Sequence, residues 1–344
     1  MSDAPLLVSS DIPSSSLIID VSVVQVGGGP LVVCADRNDV VWTWDPLRDV
    51  WQKRPLAYGF AEDPLAAKYP DADNELESVT AAVSGGRVLL AAGGHEQGCA
   101  LWDLDSGELL RGAMYEDPYV GAMTTVRGEE RPRFVTGSFD AGVLVWGASP
   151  DAPPVQLPDS DIHGICTIAA ALVSGRTLVA AGGSDVGVWD LTRNEMLASF
   201  YPDHGGISAI GLSRIADRPV VVAAADVDPG ELYVWGLPGD DGDEDGEDGE
   251  VGEPLYGPIT GHEGGISALD TTMVDDRPFA VTGGTDATVR VWDLGKGAVV
   301  GAPLLGHRGN VAVVRTAVLR GREVAVSAGE DGVIRVWDLA GLVP

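Results

Sequence analysis

Short runs rich in valine, alanine and isoleucine alternate along the chain with clusters of glycine, aspartate and proline. Such runs, bounded by turn residues, predict short antiparallel β-strands, and none has a convincing helical periodicity across a repeat. A strand-like tetrapeptide that ends in tryptophan recurs at Trp44, Trp102, Trp146, Trp189, Trp235, Trp292 and Trp337. The pattern therefore predicts an all-β protein built from one repeated unit.

The spacing of these tryptophans defines the repeat. Differences between successive positions are 58, 44, 43, 46, 57 and 45 residues. Four of the six intervals are at or near the roughly 40–45 residues of a four-stranded repeat, and the two longer ones contain this period plus an insertion. Aspartate follows the tryptophan in five copies, at Asp45, Asp103, Asp190, Asp293 and Asp338, and glycine follows it at Gly147 and Gly236.

Residues 261–294 show one unit clearly. His262 lies in a loop, followed by ISALDTT as strand a, FAVTGG as strand b, a turn at Thr285-Asp286 and TVRVWDL as strand c, with AVVGAPLL as strand d. This order, ending in Trp-Asp, resembles the WD40-repeat family, and the match covers essentially the whole chain. The phrases of strand d are similar to those of bacterial, particularly actinobacterial, members. The resemblance implies a seven-bladed WD40-type β-propeller.

The resemblance also implies a buried hydrogen-bonded set of His, Ser or Thr, Asp and Trp within a blade. The sets are His262, Thr282, Asp286 and Trp292 in blade 6, and His307, Ser327, Asp331 and Trp337 in blade 7. Both have the same spacing, with 30 residues from His to Trp, 4 from Ser or Thr to Asp and 6 from Asp to Trp. Blade 3 keeps Thr136, Asp140 and Trp146 at this spacing but has Glu116 in place of the histidine.

The last blade lacks a fourth strand after Trp337, so we expect residues near the start of the chain to supply it. Ala4-Pro5-Leu6-Leu7 repeats the Ala302-Pro303-Leu304-Leu305 of blade 6 strand d. Closure of this kind leaves no long strand edge exposed and makes the ring a single domain over residues 1–344.

Composition narrows the choice of partner. The 52 acids and 22 Lys and Arg residues give a net charge of −30, which repels phosphate backbones and anionic lipid surfaces and favours basic partners. We therefore expect a protein or peptide partner, and neither nucleic acid nor membrane. Hydrophobic residues make up 45% of the chain, but no apolar run is long enough to span a bilayer. We expect a cytoplasmic protein that is monomeric by itself, with its three cysteines as small core residues.

His, Ser and Asp together could form a hydrolase triad. The same constellation recurs in two blades with tryptophan as a fourth member, which is typical of a structural set and not of one active site. Four histidines, His163, His204, His262 and His307, fall one per blade, and Cys/His zinc spacings are absent. We expect no catalytic residues, no metal and no cofactor.

Two insertions interrupt the repeat. Residues 239–253 carry nine acids and five glycines between strands c and d of blade 5. This loop is interpreted as disordered and solvated. The alternatives are that it attracts a basic partner or that it binds Ca²⁺ weakly. Residues 58–75 lie between blades 1 and 2, where Asp63-Pro64 followed by LAAKY predicts a short helix.

The second insertion contributes to an arc of aromatic residues on the propeller face formed by the d–a and b–c loops, here called the His/Asp face. The arc comprises Tyr58, Phe60, Tyr69, Tyr115, Tyr119, Phe139 and Tyr201. Aromatic side chains are enriched at interaction hot spots, although about half of these are expected to pack under their own loops. We therefore expect a non-enzymatic interaction scaffold that binds a basic protein or peptide on this face. The alternatives are an enzyme or small-molecule binder that uses the central channel mouth, and an acidic chaperone for a basic client.

Overall fold

The structure is a computed structural model that describes most of the chain. The described residues are 5–56, 76–94, 98–114, 120–126, 129, 131–139, 142–149, 151–158, 162–202, 205–238 and 253–342. Within them all regular structure is β, in seven antiparallel sheets of four strands each. The insertion predicted at 58–75, with its helix, and nearly all of the acidic loop predicted at 239–253 lie outside the described residues.

Each sheet is one blade, and its strands a to d follow one another in the chain. After β1 (Leu6–Asp11), blade 1 contains β2 (Ile18–Val26), β3 (Gly29–Asp36), β4 (Val41–Asp45) and β5 (Val50–Arg54). Blade 2 contains β6 (Leu76–Ser84), β7 (Arg87–Gly94), β8 (Gly98–Asp103) and β9 (Leu109–Met114). Blade 3 contains β10 (Val120–Thr125), β11 (Arg133–Ser138), β12 (Val143–Gly147) and β13 (Val155–Gln156). Blade 4 contains β14 (Thr167–Val173), β15 (Arg176–Gly182), β16 (Val186–Asp190) and β17 (Glu195–Phe200).

The remaining blades complete the ring. Blade 5 contains β18 (Ile207–Ile215), β19 (Arg218–Ala225), β20 (Glu231–Gly236) and β21 (Tyr256–Thr260), and blade 6 contains β22 (Ile266–Val274), β23 (Arg277–Gly284), β24 (Thr288–Asp293) and β25 (Ala298–Leu305). Blade 7 contains β26 (Val313–Leu319), β27 (Arg322–Ala328) and β28 (Val333–Asp338), with β1 as its outer strand. Each strand a contacts strand a of both neighbouring blades, including β26 against β2. The fold is therefore the predicted closed seven-bladed propeller.

The strand from the start of the chain closes the last blade, as predicted. β1 runs antiparallel to β28 from Leu6 opposite Trp337 to Asp11 opposite Val333. The register of β1 differs from that of the matching residues Ala302–Leu305 in blade 6. In blade 6, Val299 is the residue opposite the strand c tryptophan, Trp292, and Leu304 lies beyond a bulge in β25. Leu6 therefore corresponds to Val299 and not to Leu304. The sequence match cannot show this, because each of the two outer strands contains a bulge that shifts its pairing.

The core is divided among the seven seams between neighbouring blades. Each of seven clusters of buried apolar side chains contains residues from two adjacent blades. In every cluster the strand c tryptophan of one blade packs against the preceding blade, and none of the seven is more than 3% exposed. Burying one tryptophan removes about 150–250 Å² from water, an upper estimate of about 4–6 kcal/mol at roughly 25 cal/mol per Å². The seams therefore supply much of the stability of the ring.

Polar side chains of the inner strands add directional contacts across the seams. Ser208 and Ser267 occupy the same place in their blades, and their hydroxyl groups donate to the carbonyl oxygens of Ile266 at 2.6 Å and Val311 at 2.9 Å in the next blade. The Cys166 thiol makes the equivalent contact in blade 4 at 3.1 Å from the carbonyl oxygen of Ile207. These three contacts fix the spacing of successive inner strands.

Asp20 links three blades at the point where the ring closes. Its carboxylate accepts hydrogen bonds in blade 2 from the hydroxyl of Ser78 at 2.8 Å and the N–H of Val79 at 2.9 Å. The guanidinium of Arg315 in blade 7 donates to the other oxygen at 2.9 Å. Asp20 is only 7% exposed, so these partners compensate for the loss of its hydration.

Replacing Asp20 with alanine should destabilise the closed ring. The Asp20→Ala variant removes the acceptor for groups in two other blades and leaves the partly buried Arg315 without its counter-ion, which costs about 3 kcal/mol. We expect a lower urea midpoint by circular dichroism. Asp217→Ala, which removes an exposed carboxylate from the a–b turn of blade 5, is the matched control and should leave the midpoint nearly unchanged. Equal midpoints for the two variants would contradict this role of Asp20.

Candidate functional site

Two blades contain a complete chain of hydrogen bonds beneath the His/Asp face. In blade 6 the indole N–H of Trp292 donates to the hydroxyl of Thr282 at 2.8 Å, which lies 2.8 Å from Nε2 of His262. Nδ1 of His262 lies 3.0 Å from the carboxylate of Asp286. Each side chain therefore provides a hydrogen-bond partner for the next one, and His262 is only 3% exposed.

Blade 7 repeats the chain with serine. The indole of Trp337 donates to Ser327 at 2.8 Å, Nε2 of His307 lies 2.8 Å from the same hydroxyl, and Nδ1 lies 3.0 Å from Asp331. Arg335 also donates to the carboxylate of Asp331 at 2.9 Å. The two sets therefore share one geometry, and in both the histidine and the hydroxyl group are buried within the blade.

The surroundings of the two histidines favour their neutral form. Burial lowers the pKa of His262 and of His307, and this effect outweighs the opposing influence of the adjacent carboxylates. Burial alone would raise the pKa of Asp286, but hydrogen bonds from the N–H of Glu263, from Thr288 and from His262 hold it below its ordinary value. Neutral imidazole beside ionised carboxylate is therefore the form of the sets at neutral pH.

Blade 3 does not reproduce these contacts. Within the described residues the indole N–H of Trp146 is buried without a hydrogen-bond partner, although Thr136 is also buried in the neighbouring strand. The ring stacks instead on Phe134, with centroids 4.7 Å apart, and the guanidinium of Arg111 lies over it. Asp140 and Glu116 lie outside the described residues.

Blade 1 uses a different network that the sequence analysis missed. The indole of Trp44 donates to the carboxylate of Asp49 at 2.9 Å, and Ser10 of the closing strand donates to the same carboxylate at 2.7 Å. The indole of Trp51 donates in turn to Ser10 at 2.9 Å. No local spacing signals this network, because Ser10 and Asp49 are 39 residues apart and meet only when β1 closes the ring.

The His/Asp face carries two exposed aromatic side chains among the described residues. Phe139, in the b–c turn of blade 3, is 62% exposed, and Tyr201, in the loop from blade 4 to blade 5, is 67% exposed. The ring of Phe139 lies against Gly164 of blade 4, so both residues border blade 4. The other five residues of the predicted arc, Tyr58, Phe60, Tyr69, Tyr115 and Tyr119, lie outside the described residues.

The described loops of the same face are strongly acidic. Their acids are Asp39, Asp185, Asp226, Asp228, Glu263, Asp286, Glu330 and Asp331, and their bases are Arg37 and Arg308. Arginines that open strand b lie at the opposite face in six blades, namely Arg87, Arg133, Arg176, Arg218, Arg277 and Arg322. Four of these, Arg87, Arg176, Arg277 and Arg322, form ion pairs with the aspartate that follows the strand c tryptophan. The fold therefore keeps most bases away from the His/Asp face.

One cavity lies in the central channel and has a volume of about 640 Å³. Side chains such as Thr80, Leu172 and Thr271 line it from the second halves of the inner strands, together with Glu129 and Glu323 near the a–b turns. It therefore lies toward the face opposite the His/Asp face. Among the described residues no group of histidine, cysteine and carboxylate side chains could hold a metal ion, and no helix is long and apolar enough to cross a membrane.

Comparison with known proteins identifies the repeat. The family model "WD domain, G-beta repeat" matches residues 252–293 and 302–338, which include the two complete hydrogen-bonded sets. The chain therefore contains two WD40 repeats, in blades 6 and 7 of its seven-bladed β-propeller. The structure supplies the five blades that the family model does not match. WD40 propellers are commonly protein-interaction scaffolds and are generally not enzymes.

A search of curated proteins found no significant match to this chain. Among many similar solved structures is the crystal structure of the computationally designed Ika8 protein. Its TM-score is 0.60 at 18% sequence identity, with 94% of this chain and 97% of that chain covered. At this identity the likeness shows the fold alone.

The two histidine sets should make the propeller less stable in mild acid. Both histidines have a lower pKa in the folded than in the unfolded chain, so the unfolded chain binds more protons as the pH falls below about 6.5. The free energy of unfolding should therefore fall between about pH 7.5 and about pH 5.5. A His262→Gln/His307→Gln variant should be less stable at the higher pH by about 1–3 kcal/mol and should lose less stability on acidification. Urea midpoints across this range test it, and an equal pH slope in both proteins would contradict it.

Proposed function

We propose that this chain is a non-enzymatic scaffold that binds a basic protein or peptide segment on its His/Asp face. The observation that supports the proposal is the combination of exposed aromatic rings with a strong excess of acids on that one face. Phe139 and Tyr201 stay exposed, whereas Phe134, Phe200 and Tyr233 are buried in the blades. Large exposed rings are the side chains that contribute most when a partner covers them.

The chemistry of the face suggests an extended partner with both apolar and cationic groups. Aromatic rings bury a large area with few rotatable bonds, and carboxylates around them steer cations toward the surface. Asp185 and Asp226 lie in the b–c turns of blades 4 and 5, the two blades that flank Tyr201. We propose that Tyr58, Phe60, Tyr69, Tyr115 and Tyr119 extend the same surface around blades 1 to 3.

The channel cavity favours a second candidate function. Its volume of about 640 Å³ is within the range of small-molecule sites, which usually fill about 300–1,000 Å³. A metabolite in this cavity would approach from the face that bears the a–b turns, so the two candidate functions use opposite faces. Ligand binding that is unaffected by substitutions on the His/Asp face would favour the channel.

Replacing Phe139 and Tyr201 should weaken partner binding without changing the fold. We expect the Phe139→Ala/Tyr201→Ala variant to bind at least about tenfold more weakly, because each ring contributes as an anchor. The measurement begins with affinity purification from lysate of the source organism and mass spectrometry, followed by titration of the recovered partner by calorimetry. A synthetic peptide array that varies Lys and Arg content, with and without apolar residues, then defines the recognised segment.

The matched control is Val50→Ala/Val155→Ala, which removes two exposed apolar side chains from the outer strands of blades 1 and 3. It should bind like the wild type. The acidic chaperone would be favoured if affinity for the partner fell steeply with salt and the Phe139→Ala/Tyr201→Ala variant bound like the wild type. Failure of the wild type to recover any protein partner would count against the scaffold and in favour of the channel.

A further inference from the structure

Exposed apolar side chains surround the mouth of the central channel on the face of the a–b turns. Val83, Leu172 and Val318 occupy the same position in blades 2, 4 and 7, one residue before the end of strand a. All three line the channel cavity of about 640 Å³, and Leu172 is 56% exposed. We call them the mouth residues. Exposed apolar side chains around a cavity favour a ligand with an apolar body.

Most charged groups that line the same cavity are compensated by the protein itself. Three of them form ion pairs with other side chains, in the pairs Glu129–Arg133, Arg214–Asp276 and Arg315–Asp20. A fourth, Asp270, accepts hydrogen bonds from the backbone N–H of Thr271 at 2.8 Å and of Thr316 at 2.7 Å. These four groups therefore do not depend on a ligand to balance their charge.

Glu323 is the fifth charged residue of the lining, and its surroundings differ from those of the other four. It lies half-buried near the start of strand b of blade 7, and its carboxylate accepts a hydrogen bond from the hydroxyl of Thr272 in blade 6 at 3.2 Å. Among the described residues no basic side chain forms an ion pair with it. Burial raises the pKa of Glu323, because the hydrogen bond from Thr272 does not offset the loss of hydration. A cation beside this carboxylate would compensate for that loss.

We infer that the channel cavity binds a small organic amine, with its apolar body against the mouth residues and its ammonium group at Glu323. The inference rests on the channel as a ligand site, which is the second candidate function, and it is independent of a scaffold on the opposite face. The net charge of −30 also raises the concentration of cations near the protein.

This arrangement distinguishes between classes of ligand. A ligand with a carboxylate would bring a like charge to Glu323, which disfavours binding. A polyol would supply hydrogen bonds but would not remove the mouth residues from contact with an aqueous surface. An apolar body that carries one ammonium group matches both features of the cavity.

The test uses full-length protein with labelled methyl groups and the amine, the alcohol and the carboxylate of the phenylbutyl series. The amine should cause saturable NMR shifts of the methyl groups of Val83, Leu172 and Val318. The alcohol should bind at least about fivefold more weakly, because it cannot form an ion pair, and the carboxylate should bind more weakly still. The methyl groups of Ile19 and Ala312, which lie at the His/Asp face, should not move.

Neutralising Glu323 provides the matched comparison. Glu323→Gln keeps an amide oxygen as acceptor for Thr272 and should weaken amine binding about five- to tenfold, with little effect on the alcohol. Asp217→Asn makes the same change in net charge in the exposed a–b turn of blade 5, on the same face, and should change amine binding by less than about twofold. Otherwise unchanged methyl spectra show that both variants fold.

Three results would overturn the inference: equal binding of the amine and the alcohol, equal loss of amine affinity in the two variants, or no shifts at the mouth residues. These results also separate it from the functions proposed above. If the alcohol binds at the mouth residues as tightly as the amine, the channel stands as a ligand site and the preference for amines does not. If none of the three probes shifts these methyl groups, the channel site fails together with the amine, and the scaffold on the opposite face is unaffected.

Discussion

The seam between neighbouring blades is the interaction on which the rest of this structure depends. Each strand c tryptophan is buried against the preceding blade, so no blade has an apolar core of its own. A four-stranded sheet with one uncovered face is stable only when a neighbour covers it. In the closed ring every blade is covered by its neighbours, and the seam between blades 7 and 1 covers the face of blade 1 that would otherwise be exposed. The positions of all face loops follow from this closure.

The same architecture separates the charges. Strands a and c run away from the His/Asp face and strands b and d return to it, so residues at the start of strand b lie on the opposite face in every blade. Arginine occupies that place in six blades. There it lies near the residue that follows the strand c tryptophan, which is aspartate in four of these blades and glycine in the other two. Much of the positive charge is therefore used in contacts within the blades. Arg37 and Arg308 are the only bases in the described d–a and b–c loops, so the described part of the His/Asp face is acidic.

Much of the fold could be predicted from the sequence because a blade repeats under strict geometric constraints. The chain of hydrogen bonds from tryptophan to aspartate requires fixed offsets along two paired strands, and blades 6 and 7 show these offsets directly. The closing strand could also be predicted, but its register could not, because bulges in outer strands shift the pairing without a mark in the sequence. Contacts between distant residues, such as that of Ser10 with Asp49, leave no periodic signal at all.

The candidate site was less accessible to sequence reasoning. Loop placement assigned Phe139 and Tyr201 to one face, where both side chains are exposed. Blade 3 keeps the spacing of Thr136 and Trp146 without the histidine, and there Phe134 stacks on the indole ring while the indole N–H has no partner among the described residues. A groove over the seam between blades 7 and 1 was not predicted, because its walls come from three blades whose residues are separated by up to about 300 positions and meet only in the ring.

The pairing of β1 with β28 has a consequence for the order of synthesis. The two strands are the first and the last of the ring to leave the ribosome, and Leu6 and Trp337 are paired although 331 residues separate them. At roughly 5–20 residues per second, the interval between them is about 15–70 s. All strands of blades 1 to 6 are synthesised before this interval ends, whereas β1 has no partner until β28 has emerged. Throughout that interval β1 is an unpaired strand on a nascent chain, and its protection from wrong partners rests on the polar residues Ser9, Ser10 and Asp11 that make up half of it.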